Sequence, residues 1–263
     1  MTYAGRTAVI SGGASGIGES VCRMLAERQA NVAILDVNED RGERLAGELG
    51  PAGVFHRIDV TSESDVARAL DSVMEQFGTI NFNGNFAGIT HVARTLGRNG
   101  PFDFDAYKHV IDVNLSGVFN MSRLCAERMA RNALNDHAGS RGAIVNTASA
   151  AAFDGQVGQA AYAGSKGGVV AMTLPLARDL SRIAVRVNAI APGLISTPLV
   201  RGGQDALTPE VEAYWKPMME HIPHPRRFGD PDEVAALVLH LFENEYINGE
   251  CIRIDAGLRM PFM

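Results

Sequence analysis

Tyr162 and Lys166 lie four residues apart in the stretch AYAGSK, which spans residues 161–166. In a helix this spacing puts both side chains on one face, so an ordinary surface pair is one interpretation. The other interpretation is chemical, because a phenol with a pKa of about 10 needs a positive neighbour to act as a general acid/base near neutral pH. An ammonium about 4 Å away, at an effective dielectric constant of about 20, would contribute about 4 kcal/mol and lower the pKa by about three units. This second interpretation predicts a pKa near neutrality for Tyr162.

A glycine-rich turn near the start of the chain could bind a dinucleotide. The segment Ser11–Gly18 contains Gly12, Gly16 and Gly18 between an apolar run and a helix-favouring segment. Glycine permits a tight turn and close approach of a pyrophosphate, whose charge the helix N-terminus stabilises. Asp36 ends the next apolar run, where a carboxylate can accept hydrogen bonds from both hydroxyls of an adenosine ribose. The same charge would repel a 2′-phosphate, so we expect NAD rather than NADP; a helix cap is the alternative role for Asp36.

Short apolar runs rich in β-branched residues alternate with helix-favouring segments along the chain. Amphipathic segments such as 19–28 and 62–77 predict helices. Seven strands separated by such segments predict a parallel sheet with helices on both faces, a Rossmann-like doubly wound α/β fold in a single domain of residues 1–263. Ligands of such folds bind beyond the carboxyl ends of the strands. The predicted strands cover residues 7–11, 31–35, 54–60, 80–84, 143–147, 185–190 and 251–254.

Polar and small residues follow several of these predicted strands. Asp59 and Val60 end the third, where an adenine amino group could be received, and residues 85–88 end the fourth. Ser149 ends the fifth strand and precedes Tyr162 by thirteen residues. Each position could also be ordinary turn chemistry.

Two long segments, 91–104 and 194–225, interrupt the alternation and leave the carboxyl ends of strands. Long connections in compact domains are usually functional, so we expect both to enclose a substrate rather than to decorate the surface. The second segment is apolar and predicts a lid. We expect its residues Leu199, Trp215 and Met218 to bury the apolar part of the substrate.

The composition excludes several classes of partner. A net charge of −6 with dispersed Lys and Arg gives no footprint for a nucleic acid or an anionic membrane, so we expect a small-molecule partner. No apolar run reaches the roughly eighteen residues of a membrane span, and the N-terminus has no secretory pattern. The cysteines Cys22, Cys125 and Cys251 are odd in number and far apart, which indicates a reducing compartment, and we expect the cytoplasm. The seven histidines lack metal-ligand spacing, so we expect no metal.

In this order, the glycine turn, Asn114, Ser149 and the Tyr162–Lys166 pair resemble the short-chain dehydrogenase/reductase family over nearly the whole chain. The resemblance implies that Tyr162 is the general acid/base and that Lys166 binds the nicotinamide ribose and lowers the tyrosine pKa. It also implies that Ser149 orients the substrate oxygen and that Asn114 supports a proton-relay water.

The same resemblance extends to the cofactor. Pro192–Gly193 and Thr197 match the family's turn after the sixth strand, where the nicotinamide amide is held. One departure is Phe86, since the family usually has Asn-Asn-Ala-Gly after the fourth strand, and this puts the local geometry in question. The residues expected to contact NAD are Gly12, Ser15, Gly16, Ile17, Gly18, Asp36, Asp59, Val60, Asn85, Ala87, Gly88, Tyr162, Lys166, Pro192, Gly193, Ile195 and Thr197.

From Ala143 onward the chain resembles the type-2 3-hydroxyacyl-CoA dehydrogenase branch of that family, in TASAAAFDGQVGQAAYAGSKGG, TLPLARDL, APGLISTPL and NGECIRIDAGLRM. This implies reversible, NAD-dependent oxidation of a 3-hydroxyacyl-CoA to the 3-oxoacyl-CoA. It implies that Gln156 faces the substrate together with Ser149 and Tyr162, although a polar residue capping a turn is the alternative for Gln156. The resemblance also implies a homotetramer.

Other functions stay open on the sequence alone. A 3-oxoacyl-[acyl-carrier-protein] reductase, a hydroxysteroid dehydrogenase or a secondary alcohol dehydrogenase would use the same residues, because one fold serves many substrates. A methyltransferase could share the glycine turn and the acidic residue but would leave Tyr162 and Lys166 without a role. A dinucleotide-binding regulator without catalysis would be expected to have lost at least one of the four catalytic residues, and all four are present.

Overall fold

The computed structural model describes residues 3–135, 139–203, 206 and 208–261. The strands are β1 (Thr7–Ser11), β2 (Asn31–Asp36), β3 (Gly53–Arg57), β4 (Phe82–Asn85), β5 (Leu96–Gly97), β6 (Gly100–Pro101), β7 (Gly142–Thr147), β8 (Val185–Pro192) and β9 (Cys251–Ile254). The helices are α1 (Gly16–Glu27), α2 (Glu39–Leu49), α3 (Glu63–Phe77), α4 (Phe104–Ile111), α5 (Gly117–Met129), α6 (Ala160–Leu180), α7 (Pro209–Met219) and α8 (Pro231–Glu243).

Seven of the strands form one parallel sheet in the order β3-β2-β1-β4-β7-β8-β9, which confirms the predicted doubly wound fold. Alternate residues of each strand face opposite layers, as the period of two requires. In β1, Ile10 packs with Val21 of α1 and Val238 of α8, while Val9 packs with Leu70 of α3 on the other face. Both faces of the sheet are therefore covered by helices.

The third strand ends earlier than predicted, and Ser149 lies outside the fifth strand. The pairing of β2 with β3 stops at Asp36 and Arg57, so Asp59 and Val60 lie in the following turn, where the Asp59 carboxylate accepts hydrogen bonds from the backbone and hydroxyl of Thr61. Ser149 lies two residues beyond β7, where it caps a 3₁₀ turn, Ala150–Ala152. At both positions the polar side chain accepts a hydrogen bond from the backbone N–H two residues ahead, which stabilises a turn after the strand.

The two long segments contain structure of their own. Strands β5 and β6 form an antiparallel hairpin within residues 91–104, and α7 lies within residues 194–225. Residues 204, 205 and 207 of the second segment are outside the described part of the chain. Among the described residues, no helix is long and apolar enough to cross a membrane.

Candidate active site

A cavity of about 410 Å³ opens at the carboxyl ends of the parallel strands. The strand order reverses between β1 and β4, and an open α/β sheet forms its ligand crevice at such a point. The predicted residues that line it are Gly12, Ser15, Gly16, Ile17, Gly18, Asp36, Asp59, Val60, Ala87, Gly88, Ser149, Tyr162, Lys166, Pro192, Gly193, Ile195 and Thr197. Their individual roles toward a cofactor or substrate stay predictions.

The glycine turn after β1 forms the floor of one end of this cavity. Gly12 has a φ of +68° and donates its backbone N–H to Leu35 O at 2.8 Å, which joins the turn to β2. A Cβ on Gly12 would collide with the backbone of Ala87, and one on Gly18 would collide with the carbonyl of Gly12. The turn therefore packs backbone against backbone next to the N-terminus of α1. This arrangement fits a bound pyrophosphate, which needs backbone amides at close range.

Asp36, at the end of β2, is half-buried and borders the cavity. Its Oδ2 accepts a hydrogen bond from Ala14 N at 3.1 Å, and its Oδ1 accepts one from Asn38 N at 3.0 Å. These two bonds fix the carboxylate between the glycine turn and the start of α2. A carboxylate has about four acceptor positions, so two of them stay available to ribose hydroxyls.

Lys166 and Tyr162 lie at the opposite end of the cavity, one helical turn apart in α6. Lys166 is buried, and its Nζ donates to Thr147 O at 2.8 Å. The same Nζ lies 5.8 Å from the centroid of the Tyr162 ring. Burial lowers the pKa of Lys166 to about 8, so its ammonium is mostly charged at neutral pH.

The protein groups alone do not bring Tyr162 near neutrality. Burial raises the pKa of its phenol above the ordinary value of 10, and a hydrogen bond with Ser149 opposes that rise. The ammonium of Lys166 is bonded to Thr147 O rather than to the phenol oxygen. The pKa of Tyr162 is therefore shifted in the direction opposite to the lowering expected from Lys166, because burial is the largest influence on the phenol.

Asn114 lies in a π-helical turn, Asp112–Ser116, between α4 and α5. It is fully buried: its Oδ1 accepts from Ile89 N at 2.8 Å, and its Nδ2 donates to Ile89 O at 2.9 Å and to Ser165 Oγ at 3.1 Å. The side chain thus ties the loop after β4 to α6, which carries Tyr162. Since both ends of the amide are bonded to protein, the implied role toward a relay water stays a prediction.

Phe86 lines the cavity where the family usually has asparagine. Its backbone N–H donates to Ser11 O at 2.8 Å, so the main chain continues from β4 alongside β1. The ring packs over Gly84, where an added Cβ would come within 2.5 Å of Phe86 Cε2 and 3.0 Å of Ile10 Cδ1. The glycine at position 84 therefore provides the space that the larger ring needs.

Asn85 departs from the cofactor prediction. Its side chain is fully buried and bonds to Ser11 Oγ, Asn83, Ser122 and Asn146, within a polar network between β1, β4, α5 and β7. The cavity is lined instead by the residues that follow, 86–89. The reason is strand alternation: the last residue of β4 points into the layer beneath α5, so Asn85 stabilises the sheet.

Gln156 does not line the cavity that contains Tyr162. It borders a second cavity, of about 510 Å³, with Arg94 and Leu96 from the segment 91–104. Its backbone N–H donates to Gln159 Oε1 at 3.2 Å, and its Oε1 accepts from Gln159 Nε2 at 3.5 Å. The two glutamines pair across the turn that precedes α6, which agrees with the alternative role of a turn-capping residue.

Of the three lid residues expected to bury the substrate, only Leu199 lines the cavity. Leu199 lines the Tyr162 cavity, but Met218 is buried against Ile222 and Leu258. Trp215 packs against the same cluster, and its Nε1 donates to Val200 O at 2.9 Å. The apolar residues of α7 therefore fasten the segment to the C-terminal part of the chain, and residues 198–200 supply the apolar wall.

Sequence reasoning missed other lining residues. His109 and Val113 lie four residues apart on consecutive helical turns and line the cavity. Their closeness in sequence to Asn114 is the feature from which they could have been predicted. The remaining ones are hydrophobic or small residues beside the predicted positions: Leu35, Val37, Ile58, Phe86, Ile89, Thr147, Ala148, Pro198 and Val200. Within the described residues no cluster of His, Cys, Asp or Glu could hold a metal, and His137 lies outside them.

Comparison with known proteins agrees with this geometry. Residues 12–259 match a family model described as enoyl-(acyl carrier protein) reductase. The chain is 46% identical over 258 residues to a human protein named 3-hydroxyacyl-CoA dehydrogenase type-2, covering 97% of this chain and 96% of that protein. A Drosophila melanogaster protein of the same name is 44% identical over 254 residues, 96% of each chain. A crystal structure of 3-hydroxyacyl-CoA dehydrogenase type-2 from Mycobacterium avium superposes with a TM-score of 0.89 at 37% identity, covering 98% of both chains.

Proposed function

Because this chain belongs to the short-chain dehydrogenase/reductase family, we propose that it oxidises a 3-hydroxyacyl-CoA to the 3-oxoacyl-CoA, reversibly, with NAD. The chain is an oxidoreductase that acts on a CH–OH group. The observation that carries the proposal is the meeting of Ser149, Tyr162 and Lys166 at one cavity, in a chain so similar to 3-hydroxyacyl-CoA dehydrogenases along its whole length.

The residues of the chain have distinct tasks in this reaction. The glycine turn would hold the pyrophosphate, and Asp36 the adenosine ribose. A bound nicotinamide supplies the hydride acceptor. Tyr162 takes the proton of the substrate hydroxyl during oxidation and returns it during reduction, while Ser149, bonded to Tyr162, orients the substrate oxygen. Lys166 keeps a positive charge beside the phenol at neutral pH.

NAD, rather than NADP, is favoured by the charge at the end of β2. Asp36 is held by two backbone N–H groups and faces the cavity, so its position is fixed. A fixed carboxylate attracts ribose hydroxyls and repels a 2′-phosphate.

The same proposal includes a cytoplasmic homotetramer. Free Cys22 and Cys125, both buried, support a reducing compartment.

Phe119 on α5 and Leu174 on α6 are large apolar side chains with about half of their surface exposed, at 48% and 43%, which supports burial against further copies. Sedimentation velocity measures the assembly, and a monomer at micromolar concentration would contradict it.

The substrate is tested by comparing kcat/KM across carbonyl compounds with NADH. We expect acetoacetyl-CoA to exceed an oxosteroid, a simple ketone and the matching acyl-carrier-protein thioester by at least about tenfold, or about 1.4 kcal/mol in transition-state binding. Each methylene buried against Leu199 and Val200 would add up to about 0.8 kcal/mol until the wall ends. A higher value for any of the other three would overturn the acyl-CoA assignment and leave the dehydrogenase assignment intact.

A further inference from the structure

Arg253, near the end of β9, joins segments that flank the cavity. Its Nη2 lies 2.6 Å from Asp154 Oδ2, and its Nε lies 2.6 Å from Asp255 Oδ2. Nη2 also donates to Leu258 O at 3.0 Å, and the guanidinium carbon lies 5.0 Å from the centroid of the Phe153 ring. One guanidinium thus binds two carboxylates, a carbonyl and an aromatic face.

The first of these partners belongs to the loop between Ser149 and Tyr162. Asp154 lies five residues after the serine and eight before the tyrosine. The start of this loop is otherwise held by local bonds, from the backbone N–H groups of Phe153 and Asp154 to Ala150 O, both at 3.0 Å. Its far end is tied by Ala93 N to Gly158 O at 2.9 Å. The ion pair with Arg253 is therefore what fastens the middle of the loop to the sheet.

The other partners belong to the C-terminal segment. Asp255 and Leu258 follow β9 directly, and the Leu258 side chain packs against Met218 and Ile222, at the end of α7. Arg253 consequently connects the segment that anchors α7 with the loop that leads to Tyr162. Neither Arg253 nor Asp154 lines the dinucleotide cavity.

We propose that Arg253 is a positioning residue for the substrate, acting through Asp154 to fix the loop 150–159 relative to Ser149 and Tyr162. Arginine suits this task because its planar fork binds two carboxylates in a set geometry. The side chains of Arg253 and Asp154 are each only 20% exposed, so the loss of one partner leaves a poorly solvated charge. This inference rests on the proposed function for the identity of the substrate.

The test measures KM and kcat together with NADH affinity in Asp154→Asn, Arg253→Gln and Arg253→Lys. We expect Asp154→Asn and Arg253→Gln to raise KM for the carbonyl substrate by about tenfold and to leave the Kd of NADH within about twofold, because the pair lies outside the dinucleotide cavity. Arg253→Lys should recover part of the loss. The double variant should be no worse than the poorer single variant, since both remove one interaction.

The matched control is Arg259→Gln. Arg259 bonds to the same Asp255 oxygen at 3.2 Å but is 62% exposed and does not touch the loop, so KM should stay within about twofold. A fall in thermal stability with unchanged KM, or additive effects in the double variant, would overturn the proposal.

The proposed function and this inference fail in different experiments. If the native protein prefers another carbonyl compound, the proposed function is refuted. The variants are then compared on that compound, so the role of Arg253 is still tested. Hydrogen exchange gives a readout without any substrate: Asp154→Asn should speed exchange in residues 155–159 and leave the glycine turn unchanged. Unchanged exchange in that loop would also overturn the inference.

Discussion

Asp36→Asn should reverse the preference for NAD over NADP. The substitution keeps the size of the side chain and removes its charge. Hydrogen bonds from the ribose hydroxyls to a charged acceptor are worth about 1.5–3 kcal/mol, against about 0.5–1.5 kcal/mol for a neutral acceptor. The loss of about 1–1.5 kcal/mol would weaken NAD by about 5–12-fold.

NADP should gain from the same change. Two unit charges 4 Å apart repel by about 1 kcal/mol in water and about 4 kcal/mol near a protein surface. Asp36 is half-buried, so a relief of about 1–2 kcal/mol is the reasonable range, or about 5–30-fold tighter NADP binding. Together the two effects should move the ratio of the two dissociation constants by about 25-fold to several hundred-fold.

The assay is a titration of NADH and NADPH followed by energy transfer from Trp215, the only tryptophan in the chain. Its indole donates to Val200 O, and Val200 lines the cavity, so the donor lies near a bound nicotinamide. The control is Asp40→Asn, which changes the net charge equally at an exposed position in the first turn of α2. Tighter binding of NADPH than of NADH by the native protein, or an unchanged ratio in Asp36→Asn, would refute the placement of the ribose.

Two further substitutions test the opposite end of the cavity. Tyr162→Phe should lower kcat by about 100-fold to 10,000-fold with the Kd of NADH nearly unchanged, because it removes the proton carrier and little volume; near-normal turnover would exclude the mechanism. Lys166→Met should change how stability depends on pH. The folded-state pKa of Lys166 is about 8 and its ordinary value is 10.5, so the native protein carries the cost of a buried charge below pH 8 and loses it as the pH rises toward 10.5. Urea unfolding should therefore show the native protein gaining stability relative to Lys166→Met across that window, and a constant difference would contradict the burial of a charged lysine.

The sheet and the dinucleotide end of the cavity follow from local patterns in the sequence. Gly12, Gly18 and Asp36 act within their own turns, where residue type and spacing determine backbone conformation. The parallel order of the strands then brings these turns together without further information. This is why the predicted fold is confirmed and why most of the predicted residues line one cavity.

The misplaced residues depend on contacts between distant parts of the chain. Asn85 is turned inward by a polar network with Asn146, 61 residues away. Met218 is buried by Leu258, which the sequence of the lid does not reveal. The spacing of Tyr162 and Lys166 predicts an electrostatic effect but not the depth of burial, and burial decides the sign of the shift in the tyrosine pKa.

The residues at positions 84 and 86, a glycine and a phenylalanine, limit which substitutions each position can accept. The ring occupies the volume that a side chain at position 84 would need, with Ile10 behind it. A side chain at position 84 would therefore have to displace the ring of Phe86, so the residue tolerated at each of these positions depends on the other. The two positions should therefore covary, and we expect related chains with phenylalanine at this position to have glycine two residues before it.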